Sequence, residues 1–327
     1  MFLSSMKDRV KGKGLKVVFP EGKEFQALSA ARTLKDEGVL DCILIGENKT
    51  IEDSAKTNKI DLSGIKIVEI KEDGRFDEYA KTYYELRKHK NISMEDARKK
   101  CRLANYYGAL MVRHGDADGM VSGIKAETKP FLPAFEIAKL KPGFRRASSV
   151  FVLEWPERLL FFADCSVNIN PDVQTLVDIA HGTIQTVKSF GIEPRVAFLS
   201  YSTHGSAAGS SVDKVKEAFR LTKAEFPDVP IDGEIQFDAA LLSAVAKIKA
   251  PESPLAEDGA NVFIFPDLDS GNIAYKISER LGKAQATGPI LQGLNFPIND
   301  VSRGCSAEDF TNVAILTGAL AHMQNNV

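Results

Sequence analysis

Cysteine is scarce and scattered in this chain of 327 residues. Cys42, Cys101, Cys165 and Cys305 lie far apart, with no CxxC pair and no histidine at zinc spacing. Such spacing argues against a disulfide framework and against a structural metal site, and favours a reducing compartment. Excess charge is lacking as well. The formal net charge is −2, so nothing marks a polyanion such as nucleic acid as a partner. Long apolar runs are missing too. The most apolar stretch, SSVFVLEWPERLLFFA, is interrupted by Glu154, Pro156, Glu157 and Arg158. It falls short of the roughly 20 apolar residues that a membrane span needs. The opening MFLSSMKDRVKGKG has no apolar core of the export-signal kind. The expectation is a cytoplasmic protein that binds neither membrane nor nucleic acid.

What is present is ordinary globular composition, 44% apolar and 26% charged, in a chain long enough for two domains. Short β-rich runs alternate with amphipathic helical stretches. Strands are expected at 15–20, 42–46, 66–70, 149–153, 159–163, 195–200 and 261–265. Helices are expected at 24–37, 77–89, 94–112, 172–190, 212–226, 236–249 and 272–281. Alternation at this spacing predicts an α/β fold with largely parallel central strands. Lys141-Pro142-Gly143 is a turn-forming break at which one block can end.

Two loops have the composition to carry chemistry. Ser200 to Ser211 follows a strand and leads into a helix. Its Ser202, Thr203, Gly205 and Ser206 offer hydroxyls and backbone amides where an anion can be held. It has neither a Walker lysine nor GxGxxG spacing, and the same residues suit an ordinary strand-to-helix connection. The second loop, Asn299 to Asp309, precedes the C-terminal helix. Arg303 is a fixed cation with a fork suited to phosphate or an oxyanion, Ser302 can hydrogen-bond a carbonyl, and Asp309 can act as a base. Ser306-Ala307-Glu308-Asp309 also has capping-box spacing, so Asp309 can equally close the start of a helix. Cys305 has no histidine near it in sequence, which disfavours a nucleophile. Asp116 and Asp118 lack the further ligands of a calcium loop and read as a turn.

Taken in order, seven segments resemble the phosphate acetyltransferase family. They are Phe19-Pro20-Glu21-Gly22, Gly115 to Gly123, Phe162 to Asn168, Asp232 to Ala240, Phe265 to Lys276, Gly288 to Asn295, and Asn299 to Ser306. The likeness runs from about Val17 to Ala321. Phosphate butyryltransferases are relatives, and the segments from Asp232 and Gly288 look more like the acetyl enzymes.

The resemblance implies two α/β domains of the isocitrate/isopropylmalate-dehydrogenase kind, 1–143 with 295–327 and 144–294, with an active site in the interdomain cleft. It implies a homodimer, no metal and no bound cofactor. Acetyl-CoA, phosphate and acetyl phosphate are the reactants, with coenzyme A as a substrate. Ser302, Arg303 and Asp309 match the family's catalytic residues. Substrate contacts are expected at Arg87, Ser202, Thr203, Gly205, Ser206, Lys276 and Asn295. The implied chemistry is direct thiolate attack in a ternary complex, with Asp309 taking the thiol proton, Arg303 holding phosphoryl oxygens and Ser302 stabilising the tetrahedral charge.

Two arginines of the family pattern are missing. Gln26 and Leu132 stand in their places, and the segment 125–134 diverges, with Lys125 or Lys129 available to compensate. This implies a changed coenzyme A pose. The alternatives are transfer of a propionyl or butyryl group, or a silent relative that binds coenzyme A or an acyl phosphate.

Overall fold

The computed structural model describes residues 2–125 and 132–324. They fall into two compact units, Met1–Lys141 with Leu294–Val327, and Pro142–Gly293.

The first unit is built on a five-stranded, wholly parallel sheet. Its strands are β1 (Lys16–Phe19), β2 (Asp41–Ile45), β3 (Lys66–Val68), β4 (Gly119–Ser122) and, from the C-terminal segment, β11 (Ile298–Asp300). The order across the sheet is β11-β4-β1-β2-β3. From β1 the chain winds outward through β2 and β3, then returns to place β4 and β11 on the other side. The reversal lies between β1 and β4, and open parallel sheets bind ligands at the carboxyl ends of strands beside such a switch point.

Helices of this unit are α1 (Phe2–Val10), α2 (Phe25–Asp36), α3 (Asn48–Thr57), α4 (Phe76–Arg87), α5 (Met94–Cys101), α6 (Ala104–Arg113) and α12 (Ala307–Gln324). The last is buried nearly all round, with Phe310, Val313, Ala314, Leu316, Thr317 and Gly318 inside, as expected for a helix apolar on every face. It packs on α1, α2 and β4. At Gly119 an added Cβ would lie 2.5 Å from Thr317 Cγ2, so this strand admits nothing larger.

The second unit carries a mixed sheet in the order β10-β5-β6-β9-β7-β8. Its strands are β5 (Ser148–Trp155), β6 (Arg158–Ala163), β7 (Val196–Leu199), β8 (Ile231–Ile235), β9 (Val262–Ile264) and β10 (Gln285–Gln292). β6, β9, β7 and β8 run parallel, whereas β5 and β10 pair antiparallel at one edge. The apolar run at 148–163 is the β5–β6 hairpin, turned at Pro156-Glu157. Its helices are α7 (Val173–Ser189), α8 (Ser210–Glu225), α9 (Phe237–Leu241), α10 (Ser243–Lys249) and α11 (Leu268–Arg280).

The expected helices at 94–112 and 236–249 are each two helices, interrupted at Arg102-Leu103 and at Leu242. Strands β4, β8, β10 and β11 carry weak sequence signals. β8 reads IDGEI, with two buried carboxylates among its five residues, and β10 contains Gly288-Pro289. Among the described residues no helix is long and apolar enough to cross a membrane.

Candidate active site

At the switch point of the first unit, the ends of β1, β4 and β11 are sewn together. Glu21, two residues beyond β1, accepts hydrogen bonds from three successive backbone N–H groups beyond β4. Gly123 and Ile124 donate to Oε2 at 2.8 Å each, and Lys125 donates to Oε1 at 2.6 Å. Consecutive N–H groups of this sort form a nest that favours an anion, and here the protein supplies the anion itself. Gly123 has φ +112°, and an added Cβ would lie 2.2 Å from Asp300 Oδ1. Glycine is required there on both counts. The Val301 N–H donates to the Ser122 carbonyl at 2.8 Å, which fixes where the chain leaves β11.

Ser302 and Arg303 follow directly and are exposed. The Cys305 N–H donates to the Ser302 carbonyl at 3.0 Å, closing a turn around Arg303 and Gly304. Arg303 has no ion pair among the described residues, so its cation is available to a ligand. Asp309 lies in the first turn of α12. Its Oδ2 accepts the Ser306 N–H at 2.9 Å, while its own N–H donates to the Ser306 hydroxyl at 3.0 Å. The capping box is therefore formed. It engages one carboxylate oxygen and leaves Oδ1 without a hydrogen bond among the described residues, so a cap and a base can be the same side chain.

Gln26, in the first turn of α2, donates its Nε2 to the Cys305 carbonyl at 3.2 Å. This amide braces the loop from the neighbouring helix. Cys305 itself is buried, and its thiol is pushed up to about 11 by burial and by the nearby carboxylates Asp309, Glu21 and Asp300. A thiol so protonated is a poor nucleophile. Burial, reinforced by the negative charge of Glu21, also raises the Asp300 carboxyl well above its usual range. Sequence reasoning gave no role to Glu21 or Asp300, although both stand inside the quoted segments.

The other expected residues are distributed as follows. Arg87 Nη2 pairs with Glu136 Oε1 at 3.0 Å in the first unit. Asn295 donates its side-chain amide to the carbonyls of Ala138 and Leu140, both at 3.0 Å, and so holds the chain beyond a π-helical turn at Ala134–Ala138. Leu132 lies just before that turn. Lys125 pairs with Glu24 at 2.8 Å, and Lys129 lies outside the described residues. In the turn before β4, Asp116 accepts from Arg75 at 3.0 Å and from the Tyr79 hydroxyl. Asp118 accepts the Lys16 N–H at 2.7 Å.

Ser202, Thr203, Gly205 and Ser206 come together in the second unit, in the loop between β7 and α8. The loop surrounds an anion, and that anion is Glu234 of β8, which is 1% exposed. Its Oε1 accepts the Ser202 hydroxyl at 2.8 Å and the Gly205 N–H at 2.7 Å, and the Lys216 ammonium stands at 3.6 Å. Burial raises this carboxyl, but the hydrogen bonds from Gly205 and Ser202 and the Lys216 charge outweigh it, so it is held below its usual range. His204 contacts Asp232 at 3.0 Å. Glu234 was missed in sequence because a glutamate within a short strand gives no sign that it is buried. Lys276 is exposed on α11, with its ammonium 4.9 Å from the Tyr275 ring centre.

A family described as phosphate acetyl/butaryl transferase matches residues 1–318. A phosphate acetyltransferase of Bacillus subtilis (strain 168) is 45% identical over 319 residues, spanning 97% of this chain and 98% of that one. Among solved structures, a phosphotransacetylase from Streptococcus pyogenes superimposes with a TM-score of 0.92 at 44% identity, covering 98% of each chain. A putative 4-hydroxythreonine-4-phosphate dehydrogenase from Salmonella typhimurium shares the fold at a TM-score of 0.56 and 12% identity, over 94% of this chain and 99% of that one. Family match and full-length identity agree: the chain belongs to the phosphate acetyl/butaryl transferase family and is an acyltransferase.

Proposed function

We propose that this chain transfers an acetyl group reversibly between acetyl-CoA and inorganic phosphate, giving acetyl phosphate and coenzyme A by direct thiolate attack in a ternary complex. One observation carries the reading. An unpaired, exposed Arg303, with Ser302 beside it, follows the strand at the switch-point edge, and a carboxylate with one free oxygen, Asp309, opens the next helix. Asp309 takes the thiol proton of coenzyme A. The thiol needs little help, since its ordinary pKa is about 8.5. The sulfur bonds to the carbonyl carbon of acetyl phosphate, the carbon–oxygen bond to phosphate breaks, and phosphate leaves with the electron pair. Arg303 holds the phosphoryl oxygens, and Ser302 donates to the oxyanion of the tetrahedral intermediate. Arg87, Lys276, Asn295 and the Ser202–Ser206 loop are assigned to substrate binding on family likeness. Among them, Asn295 and the loop act through the segments they hold rather than through free donors.

The same reading makes the protein cytoplasmic and homodimeric, with domains 1–143 plus 295–327 and 144–294. A surface suited to self-association runs along α11 and the residue after it. Ile273 and Ile277 on the helix and Leu281 just beyond its end recur every fourth residue and are 56%, 53% and 79% exposed, a stripe of the kind that marks an interaction face. Light scattering should find a dimer that Ile277→Glu weakens.

The test of the reaction is release of free thiol from acyl-CoA with phosphate or arsenate, run across acyl chain lengths. Acetyl preference is expected. A preference for propionyl or butyryl groups would move the assignment to the longer-chain enzymes, and no turnover would leave only a binding role.

A further inference from the structure

Asp164 and Glu234 in the second unit and Asp300 in the first are all buried carboxylates, but they are not equally provided for. Asp164 accepts the N–H groups of Ser149, Ser166, Val167 and Asn168, with the Ser149 hydroxyl and the Asn168 side-chain amide in addition. Glu234 has a hydroxyl, an N–H and an ammonium. Asp300 has almost nothing. Among the described residues its one side-chain donor is the Ser122 hydroxyl, at 3.5 Å, and the adjacent Val301 N–H already donates to the Ser122 carbonyl at 2.8 Å. No cation pairs with it among the described residues.

The donors close by are occupied. The three N–H groups beyond β4 all go to Glu21, and Gly123, the first of them, presses against Asp300 so closely that a Cβ would lie 2.2 Å from Oδ1. A buried carboxyl with neither a cation nor strong donors is stable as the neutral acid. The direction of its pKa agrees, raised by burial and by the Glu21 charge.

The groups around Asp300 are mostly acids. The elements packed on β11 are β4, α12 and the π-helical turn. β4 contributes the Ser122 hydroxyl, and just beyond it Lys125 is paired with Glu24. The first turn of α12 contributes Glu308 and Asp309. Between β11 and α12 lies Cys305, whose thiol feels Asp309, Glu21 and Asp300 together. The turn contributes Glu136, already held by Arg87 and Tyr83. Arg303 stands three residues beyond Asp300, within about 11 Å along the chain. At that range one added negative charge lowers affinity for a dianion by roughly tenfold.

We propose that Asp300 is a positioning residue that acts through Arg303: its proton keeps a negative charge out of the loop, and loss of that proton loosens the hold of Arg303 on a phosphoryl dianion. This rests on the reading of Arg303 as the holder of phosphoryl oxygens.

The probe is sulfate, which stays a dianion from weakly acidic to weakly alkaline pH, whereas inorganic phosphate changes its own charge there. Calorimetric titration of sulfate into the parent should show Kd rising roughly tenfold with pH. Within the rise, binding should take up a proton, read by comparing buffers of different ionisation enthalpy. Asp300→Asn cannot ionise, so it should keep the tighter Kd throughout and take up no proton. Glu21→Gln should move the rise to lower pH. In acetyl transfer, KM for phosphate, corrected for the ionisation of phosphate, should follow the same pattern while kcat changes less. Proton uptake by the parent and its displacement in Glu21→Gln need no Asp300 variant to fold. The same pH dependence in the parent and Asp300→Asn, absence of proton uptake, or no sulfate binding by the parent would overturn the inference. If Arg303→Ala bound sulfate as the parent does, the reading of Arg303 would fall. The expected sulfate pattern in a parent that transferred no acetyl group would support the role of Asp300 and remove only the reaction assignment.

Discussion

Ser306 and Asp309 hold each other by reciprocal hydrogen bonds: the Asp309 N–H donates to the Ser306 hydroxyl, and the Ser306 N–H donates to the Asp309 carboxylate. The arrangement closes the N-terminus of α12, and the proposed mechanism adds a second, separable duty, taking a thiol proton on the free oxygen. Ser306→Ala removes half of the cap and should cost about 1 kcal/mol of stability while leaving acetyl transfer largely intact. Asp309→Asn keeps an oxygen that can accept the Ser306 N–H but cannot take a proton. It should fold normally and lose roughly a hundredfold or more in kcat. Thermal unfolding and thiol-release kinetics on the two variants decide the matter. A kinetic defect in both that follows stability alone would reduce Asp309 to a cap.

Arg303 is exposed and unpaired, so the fold asks nothing of it. Arg303→Ala should leave the unfolding midpoint unchanged and reduce turnover by about two to three orders of magnitude, the usual cost of removing a preorganised donor to developing negative charge. Arg303→Lys should recover only part, because an ammonium lacks the fork that grips two phosphoryl oxygens. Unchanged turnover in a folded Arg303→Ala protein would remove it from the mechanism.

The strand–helix rhythm was legible in the chain, because buried parallel strands such as Lys16–Phe19 and Asp41–Ile45 are nearly continuous apolar runs. Strands β4, β8 and β11 were not. Each is short and polar-flanked, and each takes its strand character from neighbours rather than from its own residues. Ser302, Arg303 and Asp309 could be put forward together as candidates for a different reason: they are close in sequence. Glu21 and Asp300 are brought into electrostatic contact only by the order β11-β4-β1, and no local spacing encodes that. The loop from Ser200 to Ser211 left open whether it holds an anion or simply connects strand to helix; its Ser202 and Gly205 bond an internal carboxylate, Glu234, which no local pattern announces.

Glu234 makes a prediction about acid sensitivity. Its carboxyl is held below the ordinary value of 4.5 in the folded protein. The stability it contributes is therefore present in full above that value and disappears as pH falls through the lower, folded value. Glu234→Gln should cost about 2 kcal/mol at neutral pH, because charge-assisted bonds to Ser202 and Gly205 become neutral ones. The gap to the parent should narrow as the pH drops below about 4.5. Denaturant unfolding at several pH values measures this, and a gap independent of pH would show that the charge of Glu234 contributes nothing.

Asp300 carries the opposite sign. Burial and the neighbouring Glu21 charge raise its carboxyl well above the ordinary 3.8, so the folded state binds a proton that the unfolded chain releases. Stability from this group is greatest below 3.8 and is lost as pH rises toward the folded value, with a slope of up to about 1.4 kcal/mol per pH unit. Asp300→Asn cannot ionise. Its stability relative to the parent should climb from weakly acidic to neutral pH, until the variant equals or exceeds the parent. Glu21→Gln should shift the same rise, because removing the like charge lets Asp300 ionise at lower pH and shortens the interval over which stability falls. The measurement is unfolding free energy against pH for the parent and both variants. If Asp300→Asn is less stable by a constant amount at every pH, the Asp300 carboxyl is not raised in the fold and the effect of Glu21 on it is negligible.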